Sequence, residues 1–536
     1  MTQPAAYRLL ISMVVASVLL LAHAAPAAGQ GQVRTLRYAS QDDPQTFDPH
    51  SASLLATTRM TSQIYEPLVF RDANWIIIPW LSVSWSQPND KTWRFKLREG
   101  VTFHDGAPFT ADDVVFSVER ALSPLSQQSS SLQGVLSARK IDSFTVEMVM
   151  KEPNPVLTSH LFNFRIMNKA WAIKNKSVTP QNYKEKEDTF SARNANGTGA
   201  YILKSHEPDV KTLLLKNPHW WGIKAGLKGN VDEVVVRPIK SNATRIAALI
   251  SGEVDLVIDP PTQDIARLRG IAELKVQESA ESRVQYVAFD VQRDELLYSN
   301  IKGKNPFKDL RVRQAVAYAI DAEAIKSKVM RGFAIPIGTL ITPQVNGFAP
   351  EANKRLPYDR EKARKLMAEA GYADGFEVTL DCGNNQPAAD ICQSLAVMLT
   401  QIGIRTRPNV VPVANFYPKL EKLDTSLYLL SWGSGVTSDA LYTLQSLLHT
   451  ANGKTDGEFN LGRYSNPKMD ALIQSIKVES DAARRNDAIR DALLLNNVEV
   501  ATIAIHQPLI PWVMRKNVSA PSTPVNTVYF YQVNLQ

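Results

Sequence analysis

Apolar and polar residues alternate with a period of two over 93–97: Trp93, Phe95 and Leu97 are separated by Arg94 and Lys96. That is the signature of a half-buried strand. Glu99-Gly100 interrupts it, Val101 and Phe103 resume it, and Asp105-Gly106 with Pro108 marks a turn. Thr110 stands at an N-cap position with Asp113 three residues on, ahead of the apolar face of Val114, Val115 and Val118. The segment 93–120 therefore predicts strand, turn, strand, turn, helix. Further on the period changes. Val312, Ala315, Val316, Ala319 and Ile320 share one helical face, and residues 361–370 form a helix stopped by Gly371. A strand at 376–380, a helix at 390–401 and a strand at 403–407 give a β-α-β order, which implies a parallel pair. A strand at 424–432 follows, and its bulky apolar residues deliver Trp432 at the carboxyl end. Strands and helices are mixed along the whole chain, which is an α/β pattern.

The 93–120 stretch also reads as a motif: F-x-L-R-x-G-V-x-F-H-D-G, then P-x-T-A-x-D-V, then S-x-E-R. It resembles the signature region of the family 5 (peptide/nickel class) extracytoplasmic solute-binding proteins of ABC importers. Other segments resemble the same family in the same order. They are Glu66-Pro67-Leu68, Gly197-Thr198-Gly199-Ala200-Tyr201 with Ala200 for the usual proline, Asn217 to Gly222 with Trp220 for tyrosine, Gly252 to Asp255, and Arg311 to Asp321. The resemblance implies a two-lobe (class II-like) periplasmic binding protein fold with an extra β-rich subdomain inserted in lobe I. It divides the chain into lobe I at 33–70, the insert at 71–199, lobe I again at 200–285, lobe II at 286–500 and a return to lobe I at 501–536. The ligand is enclosed as the lobes close about a hinge.

The N-terminus is consistent with export. Tyr7-Arg8 precedes an apolar core at 9–21, too short for a comfortable membrane span, and Ala22-His23-Ala24 reads as a cleavage site. Residues 1–24 are expected to be a signal peptide. No cysteine lies near the site to carry a lipid, so the expected location is the periplasm. The chain's 536 residues exceed one ordinary core, and 44% hydrophobic with 21% charged residues describes a soluble globular protein. A net charge of +7 from 60 basic and 53 acidic residues is spread without a basic tract, so nucleic acid is not expected as a partner. The two cysteines, Cys382 and Cys392, flank the loop between a strand and a helix. In an oxidising compartment they are expected to form a structural disulfide; the alternative is two free buried thiols.

Enzyme signatures are missing: there is no Walker loop, no H-E-x-x-H and no G-x-S-x-G. No two of the eight histidines have metal-ligand spacing, and neither a cofactor nor a metal is expected. The chain reads as a monomeric binding protein, not an enzyme. It would take a small molecule and deliver it to an ABC permease in the inner membrane. Two other classes share the outline: a periplasmic hydrolase, and a sensory or chaperone-like binder not coupled to a permease.

The resemblance also nominates ligand contacts. Trp432 stands where the family's G-W-x-x-D tryptophan lines the cleft; the alternative is a core tryptophan. Gly433, Ser434 and Gly435 follow, where backbone can approach a ligand closely. Peptide-binding members carry an aspartate three residues after the tryptophan, against the peptide's amino terminus, and here that position is Gly435. Asp439 either replaces it or caps the helix starting near Ala440. Ser53, Leu54 and Leu55 follow Asp48-Pro49, a loop that contacts ligand in the family. Arg165 resembles an arginine that nickel-chelate binders offer to carboxylates, and His449 lies where nickel-binding relatives carry a histidine. The missing aspartate favours a ligand without a free amine there: a modified, glutathione-like peptide, an opine, a sugar or a small carboxylate.

Overall fold

A computed structural model describes residues 33–227, 229–385, 387–434, 437–453 and 455–536. The expected signal peptide and Gly435 lie outside these described residues.

The alternating segment forms the strand Thr92–Leu97, with Trp93, Phe95 and Leu97 buried and Arg94 and Lys96 exposed. It lies inside a four-stranded antiparallel sheet, ordered Ser82–Asn89, Thr92–Leu97, Thr145–Met150, Val135–Asp142. Val101 and Phe103 are buried, but they form no strand. Pro108 has no N–H to extend a ladder, and Gly106 turns the chain at φ +86°. One bridge between Thr102 and Pro108 is all that forms. The helix Ala111–Ala121 begins after Thr110, whose N–H donates to the Asp113 carboxylate at 2.9 Å.

A larger mixed sheet runs through both lobes, carried by the strand Thr502–Arg515. The first part of this strand pairs antiparallel with Arg283–Phe289, and the second part with Leu256–Ile258 and Leu274–Ala280. On the lobe I side, Thr35–Ser40 lies parallel to Glu233–Pro238 and Leu256–Ile258. On the lobe II side, Phe376–Gly383 lies parallel to both Ile404–Val411 and Leu427–Gly433, the parallel geometry that the β-α-β order predicts. Separate apolar cores pack on each side.

The lobes are joined where two strands cross together. Ala280 ends the pairing of Leu274–Ala280, and Arg283 begins the next strand. Glu281 donates its N–H to Pro508 O at 2.9 Å, and Gln507 Nε2 donates to Glu281 O at 2.8 Å. The two strands cross together at 281–282 and 507–508. Each crossing is a short polar stretch, Glu281-Ser282-Arg283 in one and His506-Gln507-Pro508 in the other.

Cys382, at the end of the strand Phe376–Gly383, is disulfide-bonded to Cys392 in the helix Ala388–Thr400. No described helix is long and apolar enough to cross a membrane.

Candidate functional site

A cavity of about 480 Å³ opens between the lobes. Lobe I supplies the loop after Asp48, the exposed start of the helix Leu55–Ile64, the segment 162–165 and the tail at 524–529. Lobe II supplies Glu281 to Arg283, Gly433 and Tyr442.

The lobe I wall is held by a buried ion pair. Arg120 grips Asp48 with Nη1 at 2.7 Å and Nη2 at 2.5 Å, both side chains being fully buried. Burial alone would raise the Asp48 carboxyl. The Arg120 hydrogen bonds and charge outweigh it and hold the carboxyl below the usual range. Arg120 Nη1 also donates to His50 Nδ1 at 3.0 Å, and His50 Nε2 donates to Arg165 O at 2.8 Å. Burial, then the Arg120 charge, lowers the His50 imidazole to about 4, so the ring is neutral and keeps this tautomer at neutral pH. Arg165 is thus fixed through its own backbone. Its Nη1 donates to Phe162 O at 2.9 Å, and its guanidinium meets the Tyr529 hydroxyl.

Of the residues nominated from sequence, the structure brings Ser53, Leu55, Arg165 and Gly433 to this one cavity. Leu54 precedes the helix Leu55–Ile64 and is not on the cavity wall. Trp432 is only 9% exposed and points into the lobe II core. Its Nε1 donates to Thr443 Oγ1 at 3.1 Å, and its ring stacks on Tyr442 at 5.0 Å. Tyr442 is the aromatic residue that reaches the cavity. Ser434 donates its N–H to Ser282 O at 3.1 Å and shares a hydrogen bond with Thr443, tying this turn to the crossing segment.

Asp439 is the helix cap, not a cleft carboxylate. It is 1% exposed, accepts the Leu441 N–H at 2.9 Å, and is gripped by Arg485 at 2.7 and 2.9 Å. Burial pushes its carboxyl up, but Arg485 outweighs this and holds it below the usual range. His449 is also satisfied away from the cavity. Nδ1 donates to Thr450 O at 2.7 Å and Nε2 accepts from Gln474 Nε2 at 2.8 Å, so neither nitrogen is open to a metal. Among the described residues no cluster of three or more histidine, cysteine or acidic side chains could hold a metal ion.

Among the wall residues with no counterpart in the sequence reading are Tyr442, Glu281 and Arg283. The Glu281 and Arg283 carboxylate and guanidinium pair at 3.1 Å, and Arg283 Nη1 also donates to Ser431 Oγ at 3.3 Å. They sit in a short polar run at a strand end, which carries no motif. On the cavity's other side the lobes touch directly. Arg71 Nη2 donates to Thr437 O at 3.1 Å, and Trp75 Nε1 donates to Ser438 Oγ at 2.9 Å. These contacts define a closed arrangement.

Two lobes, paired crossing strands and a cavity between them, lined by polar and apolar residues together, are the features of a solute-binding protein. Residues 77–455 match the profile of the bacterial extracellular solute-binding proteins, family 5, and the chain belongs to that family. Its members capture a solute between two lobes and deliver it to the permease of an ABC importer. The chain is 27% identical over 470 residues to Heme-binding protein A of Haemophilus influenzae, covering 82% of this chain and 81% of that one. It is 25% identical over 542 residues to the Dipeptide-binding protein of Escherichia coli, covering 95% and 96%. The periplasmic binding protein DppA from Helicobacter pylori, solved with the peptide STSA, shares the fold at a TM-score of 0.72 and 24% identity, covering 94% of this chain and 98% of that one.

Proposed function

We propose that this protein works in the periplasm, exported by residues 1–24. There it captures a small, peptide-like organic solute that bears an acidic group and offers no free ammonium to the cleft. One observation carries the reading. Among the described residues lining the cavity, the only carboxylate is Glu281, and it is already paired with Arg283. A buried cationic amine would find no free counter-charge there, which costs several kcal/mol. Arg165, by contrast, sets a fixed positive charge in the wall. Relatives named for heme and for dipeptides differ in ligand, so the chemistry of this cleft selects the solute.

Native mass spectrometry of protein purified from its host tests capture, with one bound acidic molecule per chain expected. Calorimetry with free and N-acetylated dipeptides tests the charge rule. Acetylated peptides are expected to bind at least as tightly as free ones. Tight binding of free peptides that acetylation destroys would contradict the reading.

A further inference from the structure

Glu281, Ser282 and Arg283 line the cavity and are also the link by which the chain passes from one lobe to the other. The Arg283 side chain is 42% exposed and that of Glu281 23%, so their ion pair is a solvated one. Such pairs contribute little, about 0–1 kcal/mol. Nε is used by Glu281 and Nη1 by Ser431, while no described residue accepts from Nη2. Nη2 lies beside Gly433, where an added Cβ would stand 3.6 Å away and a longer side chain would crowd it. The guanidinium is thus held in place by a weak partner, with donors left over and an uncluttered approach. A carboxylate arriving from the cavity can take a two-pronged grip that is stronger than the bonds it displaces.

Arg165 presents a second guanidinium from lobe I to the same cavity. Building on the capture reading above, we propose that Arg283 is an anion-anchoring residue of the cleft, opposite Arg165, and that the captured solute carries two acidic groups, one for each lobe. Closing the cleft on a dianion pairs one acidic group with each guanidinium, so the solute's charge itself bridges the lobes. Because Arg283 directly follows the crossing at 281–282, its occupation acts next to the hinge. Glu281 serves as the stand-in that holds the guanidinium in register until the solute arrives.

The test is calorimetry at low salt on the full exported protein, stripped of bound solute. The probes are N-succinyl-dialanine with two carboxylates, N-acetyl-dialanine with one, and N-acetyl-dialanine amide with none. The dianion is expected to bind at least tenfold more tightly than the monoanion, and the amide most weakly. Arg283→Gln should erase the dianion's margin. Arg283→Lys, which keeps the charge but loses the fork, should retain part of it, and Glu281→Gln should leave or increase it. Equal binding of dianion and monoanion, an undiminished margin in Arg283→Gln, or no binding of any probe at millimolar concentration would overturn the proposal. A bound neutral molecule in host-purified protein would sink the two-acid rule and leave capture standing. Protein that carries no solute and never closes would sink capture itself.

Discussion

Trp432 shows how far a residue's role depends on the direction its side chain takes. Its position at the carboxyl end of the strand Leu427–Gly433 is legible from the apolar run before it, but its direction is not. In the structure the indole N–H is satisfied by Thr443 and the ring is covered by Tyr442 and Phe459. Trp432→Ala is therefore a core truncation, expected to cost about 3–5 kcal/mol in chemical denaturation. Trp432→Phe should keep solute affinity near wild type, whereas Tyr442→Ala should weaken it and cost less stability than Trp432→Ala. Calorimetry with the solute extracted from host-purified protein checks this, and a large affinity loss in Trp432→Phe alone would return Trp432 to the cleft. Asp439 makes the same point. Its spacing before an apolar helix announces a cap, and the Arg485 partner that consumes its charge lies 46 residues away in sequence, where no local pattern points.

Elements were more legible than side-chain directions, because their signals are local. The alternation of Trp93, Phe95 and Leu97, the Thr110–Asp113 helix start and the parallel strands around the helix Ala388–Thr400 all follow from short-range periodicity and capping. Val101 and Phe103 carry the same alternation yet form no strand, since a proline and a tight turn leave no continuous partner edge. The crossings are less legible, because Thr502–Arg515 is one continuous strand shared by both lobes and the polar His506-Gln507-Pro508 within it does not interrupt its pairing. Within lobe II, the Cys382–Cys392 bridge pins a strand end to the helix that covers it. Closing so short a loop should contribute about 2–3 kcal/mol. Unreduced, denatured protein is expected to show no free thiol, and Cys382→Ser with Cys392→Ser should lower the denaturation midpoint accordingly. Two titratable thiols in unreduced protein would contradict this.

At the scale of the whole molecule, the account joins a hinge, a cavity and a charge. The paired crossings at 281–282 and 507–508 give the lobes a shared axis, and the Arg71–Thr437 and Trp75–Ser438 bonds mark where they meet when shut. Two hydrogen bonds of this kind contribute about 1 kcal/mol each. They are too weak to hold the lobes closed without a solute between them. Small-angle X-ray scattering measures this directly, on host-purified protein before and after its bound small molecules are stripped by unfolding and refolding. The account predicts a compact form as purified, a larger radius of gyration once stripped, and a return to the compact form when the extracted acidic fraction is added back. An identical profile in all three states, with a solute present in the first, would contradict capture by lobe closure.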